Sequence, residues 1–123
     1  AMPERLEHLI QRSAKAFNAK AKLTYQEGNA GLSNDPECAE RCRKSVVKLF
    51  GEEAVSDYEG TLAGEDFSEY LDIVPGVFVF LGCRNPNVDA VYPQHSGYYT
   101  VDESVLKNGA ALAAQYAIDF LAE

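Results

Sequence analysis

Five consecutive apolar residues, Val77-Phe78-Val79-Phe80-Leu81, constrain this chain more than any other stretch. The run is rich in β-forming residues and too short for a typical helix. It reads as a strand covered on both faces. Such a strand needs helices above and below it, and the flanking sequence predicts them. Pro3 suits a first helical turn, where its missing N–H costs nothing. Leu6, Leu9, Ile10, Ala14 and Phe17 then recur at helical spacing, which predicts an amphipathic helix over about 3–18. Asn34-Asp35-Pro36-Glu37 predicts a second start: Asn34 or Asp35 caps, Pro36 fits the first turn, and Asn34 with Glu37 resembles a capping box. Ala39, Cys42, Val46, Leu49 and Phe50 form the inner face of that helix, and Gly51 ends it. A short helix is expected over 65–73, broken by Pro75-Gly76. A last one is capped by Asp102, with Leu106, Ala110, Ala113, Ala117 and Phe120 facing inward.

Between the helical stretches the period changes. Leu23 and Tyr25 alternate with Lys22, Thr24 and Gln26, which predicts a half-buried strand over 21–27. A short strand is expected at 54–58. Residues 84–101 form a long irregular stretch. The order helix–strand–linker–helix–strand–helix–strand–loop–helix predicts an α/β fold. Gly28-Asn29-Ala30-Gly31 reads as a linker, so the helix–strand pair before it belongs to a different unit: residues 1–31 against 32–123. Ala1 reads as an added residue before an initiator methionine at Met2, the start either of a natural short gene or of a piece cut from a longer one.

Charge excludes some partners. The formal net charge is −8, with 11 Lys and Arg against 19 Asp and Glu. Nucleic-acid binding needs a basic stripe to displace counterions from phosphate, so nucleic acid and anionic membranes are not expected partners. No apolar run approaches the roughly 18 residues of a membrane span, and no leader marks the chain for secretion. Three cysteines is an odd count for a disulfide scaffold. Free thiols in a reducing, cytoplasmic compartment are the expectation. Cys38 and Cys42 lie one helical turn apart and share a face. A metal site built on them would need two more soft ligands, so they read as structural.

Few residues bear chemistry. His8 falls among charged neighbours on the outer side of the first helix and reads as solvated. His95 sits in the long loop, after Tyr92-Pro93-Gln94 and before Ser96-Gly97, where loops on α/β scaffolds carry function. Glu65 and Asp66 stand at a helix start. Dipole compensation is the simple reading, and metal binding or proton transfer the alternative. Ser96 has no nucleophile elbow around it, and no glycine pattern cradles phosphate.

These features come in a fixed order: Gly64-Glu65-Asp66-Phe67-Ser68, Val74-Pro75-Gly76-Val77-Phe78, Phe80-Leu81-Gly82, Tyr92-Pro93-Gln94-His95-Ser96, Val101-Asp102-Glu103, Leu106 and Gly109-Ala110-Ala111-Leu112. The series resembles the C-terminal part of the aminoacylase and carboxypeptidase metallohydrolases, in particular the N-acyl-amino-acid amidohydrolases that include hippurate hydrolase. The resemblance covers nearly the whole chain. It implies a two-metal catalytic domain of α/β, exopeptidase-like fold with an inserted lid or dimerisation domain. Residues 3–27 then look like the last helix and strand of the lid, and 35–123 like the closing part of the catalytic domain. The histidine of the Tyr-Pro-x-His-Ser motif is a metal ligand in that family, which implies the same for His95. Glu65 and Asp66 match a segment near the substrate cleft, with no definite role implied. Gly97 stands where the family often has proline, which loosens the loop.

The resemblance implies a parent reaction: hydrolysis of the amide between an acyl group and an amino acid, with two divalent ions such as zinc or manganese. The family's other ligands and its catalytic glutamate have no counterpart in these residues. A catalytic zinc takes three protein ligands, so a lone imidazole is not expected to hold an ion stably. The chain is therefore expected to be inactive alone. Its expected partners are a second copy or the missing N-terminal part of the enzyme.

Overall fold

The computed structural model describes residues 2–122, so Ala1, read above as an added residue, and Glu123 lie outside it. The described residues form four α-helices: α1 (Met2–Ala16), α2 (Pro36–Phe50), α3 (Ser68–Leu71) and α4 (Leu106–Leu121). Single 3-10 turns occupy Glu52–Ala54, Pro86–Val88 and Glu103–Val105.

The helix boundaries follow local chemistry. Pro36 opens α2, and Asp35 caps it, its Oδ1 accepting the Cys38 N–H at 2.9 Å. That bond holds the Asp35 carboxyl below the usual carboxylate range. Gly51 closes α2 with φ near 90°, a conformation that a side chain would strain. Asp102 accepts the Ser104 N–H at 3.0 Å and starts the turn that leads into α4. Asn34 does not cap. Its side chain instead exchanges two hydrogen bonds with the Phe78 backbone, at 2.7 and 2.9 Å, while the Asp35 N–H donates to the Gly76 carbonyl. The short helix expected at 65–73 contracts to Ser68–Leu71 with turns on either side.

The core lies between α2 and α4, the only two α-helices packed on each other among the described residues. Cys38, Cys42 and Ser45, spaced four and three apart, form the buried stripe of α2. Ser45 Oγ donates to Asp119 at 2.8 Å, and Lys48 and Gln115 donate to the same carboxylate at 2.9 and 2.8 Å. The Arg41 guanidinium lies over the Phe120 ring at 5.1 Å. Both α2 cysteines are free, and burial pushes the Cys42 thiol pKa up, which keeps it protonated and unreactive. The structural reading of this pair holds.

The strands do not form. Residues 21–27 and 77–81 form no ladder, and 54–58 begins in a 3-10 turn. One isolated antiparallel bridge, Asn85 to Ala90, is the sole β-pairing among the described residues. The α/β expectation is thus not confirmed. Alternation and β-branching favour an extended backbone, but a strand exists only when a neighbour accepts its N–H and C=O groups. Asn34 fills that role for one residue. Residues 77–81 are still roofed in part: a Cβ on Gly109 of α4 would stand 3.1 Å from Leu81 Cδ2, and Phe67 and Tyr58 pack on Phe78 and Phe80.

Candidate functional site

The loop from Arg84 to Val101 carries the histidine singled out above. Asn85 begins it by capping the Pro86–Val88 turn, its Oδ1 accepting the Asn87 N–H at 3.0 Å. Asp89 turns the chain back with φ 58°, so that Asn85 and Ala90 exchange two backbone hydrogen bonds. Ala90 is almost wholly buried and anchors this first bend. The Tyr92 and Tyr98 rings then meet with centroids 5.5 Å apart and bring the two stems of the next bend together. Between them the Ser96 N–H donates to the Pro93 carbonyl, closing a four-residue turn with His95 at its third position.

His95 has φ 67°. A positive φ at the third position is the geometry of a type II turn, which glycine prefers. Holding a histidine there costs about 1–2 kcal/mol. The imidazole is exposed, with no hydrogen bond or ion pair to any described residue. It stands at the tip of a bend, open to whatever approaches that face.

Glu65 and Asp66 lie elsewhere in the local structure. Glu65 is half-buried and shapes the entry to α3: its Oε1 accepts the Phe67 N–H at 3.1 Å and its carbonyl accepts Ser68 Oγ at 2.9 Å. Asp66 is exposed. Glu65 thus shapes the turn into α3, while Asp66 contributes its carbonyl, which accepts the Glu69 N–H at 3.0 Å. No hydrogen bond joins either carboxylate to His95, and no three His, Cys, Asp or Glu side chains converge on one point among the described residues. A shallow hollow bounded by Ser33, Asp35 and residues 71–76 contains none of the three. His8 is exposed on α1, as read from its neighbours.

Asn85 carries no signal in the sequence, and Asp102, just past the loop, reads as a helix cap within the Val101-Asp102-Glu103 series. In the fold, Asn85 Nδ2 donates to Asp102 Oδ2 at 2.7 Å, across 17 residues of chain. That bond, then the bonds from Ser104, lower the Asp102 pKa from its ordinary value. No periodicity or spacing signals such a contact; only the cap role of Asp102 was visible.

A sequence pattern shared by peptidase family M20/M25/M40 matches residues 3–119. The chain belongs to this family. Among its relatives in the family is thermostable carboxypeptidase 2 of Saccharolobus solfataricus, 40% identical over 116 residues, which are 94% of this chain and 29% of the relative. Two more distant relatives are an IAA-amino acid hydrolase, ILR1-like 6, of Arabidopsis thaliana, and the putative amidohydrolase YhaA of Bacillus subtilis. Both are 25% identical, over 98% and 97% of this chain. The chain spans under a third of the length of these three relatives. No solved structure matches it. No helix of the described residues is long and apolar enough to cross a membrane.

Proposed function

We propose that this chain is the closing part of a two-metal hydrolase that cleaves the amide bond between an acyl group and an amino acid, and that His95 is its contribution to the metal site. The reading is supported by the family match over residues 3–119, by the resemblance of Tyr92-Pro93-Gln94-His95-Ser96 to a metal-ligand motif, and by the exposed turn on which His95 stands. The names of the relatives, carboxypeptidase and IAA-amino acid hydrolase, share scission of a bond to an amino acid. On this reading residues 1–31 come from a lid or dimerisation unit and 32–123 from the catalytic unit, with Glu65 and Asp66 toward the substrate cleft.

The residues present do not by themselves fit a two-ion centre. Each catalytic ion takes about three protein ligands, and two ions sit some 3.5–4 Å apart. The described residues bring no three such donors together. On this reading the remaining ligands and the general base come from polypeptide beyond these residues. Bound divalent ions would polarise the scissile carbonyl and activate water.

Two measurements test this. The chain, dialysed against zinc or manganese, should retain less than one ion per molecule and should not hydrolyse N-acyl amino acids. In a longer protein that carries this sequence, His95→Ala should lower turnover by at least roughly a hundredfold, more than loss of a residue that merely supports a ligand. Chelator-sensitive hydrolysis by the chain alone, or full turnover in His95→Ala, would overturn the reading.

A second reading is a binding or oligomerisation module. It is favoured by the apolar surface left open: Phe17 is 85% exposed, Ile73 80% and Phe80 56%. Light scattering decides it. Association with a second copy supports this reading, and a strict monomer across concentration removes it.

A further inference from the structure

We propose that Asn85 and Asp102 form a clasp that positions the loop bearing His95, with Asp102 serving as a positioning residue rather than only a helix cap. The inference rests on the reading of His95 as a ligand given above.

A metal ligand on a loop of 18 residues needs that loop held, because donor geometry tolerates only small displacements. No sheet holds this one. Its fastenings are instead a series of cross-links between the two stems. At the base, the Asp102 N–H donates to the Cys83 carbonyl at 3.1 Å, and Asp102 Oδ2 accepts Asn85 Nδ2 at 2.7 Å. Farther out the Tyr92 and Tyr98 rings touch, and at the tip the Ser96 N–H closes on the Pro93 carbonyl around His95.

The base clasp is specific in its polarity. Asn85 uses its carbonyl oxygen for the Asn87 N–H and its amide nitrogen for Asp102. Asp102 uses one oxygen for Asn85 and the other for the Ser104 N–H. Three bonds are thus matched in one order: the Asn87 N–H donates to Asn85, Asn85 donates to Asp102, and the Ser104 N–H donates to Asp102. In Asp102→Asn no orientation of the two amides satisfies all of them. If the new amide keeps its oxygen on Ser104, its NH2 faces the NH2 of Asn85. If Asn85 turns over, its NH2 faces the Asn87 N–H. The exchanged pair, Asn85→Asp with Asp102→Asn, restores every match with the donor and acceptor reversed.

This separates the clasp from the cap. Asn and Asp cap helices equally well, so a capping role alone predicts no change in Asp102→Asn. The clasp predicts a loss in Asp102→Asn, a larger loss in Asn85→Asp, where two carboxylates face each other, and recovery in the exchanged pair.

The test is amide hydrogen exchange and NMR on the full chain. In Asp102→Asn, exchange at Asn85, Ala90 and Asp102 should quicken about tenfold, the effect of losing one charge-assisted hydrogen bond. The strong amide–Hα Overhauser signal that a positive φ gives His95 should weaken. In the exchanged pair both should return to within about twofold of the parent. Unchanged exchange and an unchanged His95 signal in Asp102→Asn overturn the clasp, as does an exchanged pair that melts like the parent yet does not recover. Failure of the ligand reading is told apart: a longer enzyme indifferent to His95→Ala sinks the proposed function, while the exchange pattern of the clasp variants is read without metal or turnover.

Discussion

α1 and α2 are alike as sequences and opposite in fate. Each is 15 residues long, opens near a proline and carries an apolar stripe at helical spacing. The stripe of α2 is buried against α4, with Cys38 and Cys42 at 5% and 4% exposure and Ser45 at none. α1 packs on no other helix, buries no residue, and leaves Leu9 at 63% exposure. Helical periodicity does not by itself say which residues find cover: even in the packed pair, Leu49 of α2 and Leu106 and Phe120 of α4, read as facing inward, stand exposed, while Cys38 and Ser45 are buried. Most of the stability of a helix comes from that cover rather than from propensity.

Four substitutions would break or sharpen the contrast. Ser45→Leu should cost the most, about 3 kcal/mol, because it forces a branched side chain into the α2–α4 seam and removes the hydroxyl donated to Asp119. Urea unfolding followed by circular dichroism measures it. Cys42→Ser should cost about 1–2 kcal/mol in the same assay, since it buries a hydroxyl where a thiol was packed. Both figures refer to the packed pair; a cost near zero would mean that α2 and α4 are no better held than α1.

Acid should loosen the same seam. Hydrogen bonds from Lys48 first, then Ser45, hold the Asp119 carboxyl below its ordinary pKa of 3.8. A lowered folded value contributes stability that is present above pH 3.8 and is lost as pH falls through the folded value. The urea midpoint should drop across that window in the parent and drop less in Asp119→Asn. An identical pH profile in both proteins would remove Asp119 from the account. Smallest of all, Leu9→Ser in α1 should shift the global midpoint by no more than about 0.5 kcal/mol, as at other exposed sites. Amide exchange in α1 should run much faster than in α2 and α4. A Leu9→Ser cost equal to that of Ser45→Leu would abolish the distinction between the two regions.

The candidate site divides along the same line. His95 was visible in the sequence because its neighbours Tyr92-Pro93 and Ser96 form a motif, and Glu65 and Asp66 because two carboxylates at a helix start are conspicuous. Their local roles were partly legible too: Glu65 does shape the start of α3. The positive φ of His95 was not, since backbone conformation at a non-glycine turn position depends on how the stems close. Nor was the bond between Asn85 and Asp102, for a contact across 17 residues leaves no periodic trace. The three expected strands failed for a related reason. Their residue types favour extension, but pairing is a property of two segments.

What this sequence determined alone was local: that Asp35 and Pro36 start α2, that Gly51 stops it, and that Asp102 begins the approach to α4. Each of these rests on hydrogen bonds or backbone angles within a few residues, so the neighbouring letters suffice. The tertiary structure decided which apolar stripe was buried, which extended segment found a neighbour, and what holds the loop that presents His95. Those outcomes depend on groups far apart in the chain meeting in space, where a donor or an apolar face is satisfied only by what the fold brings against it.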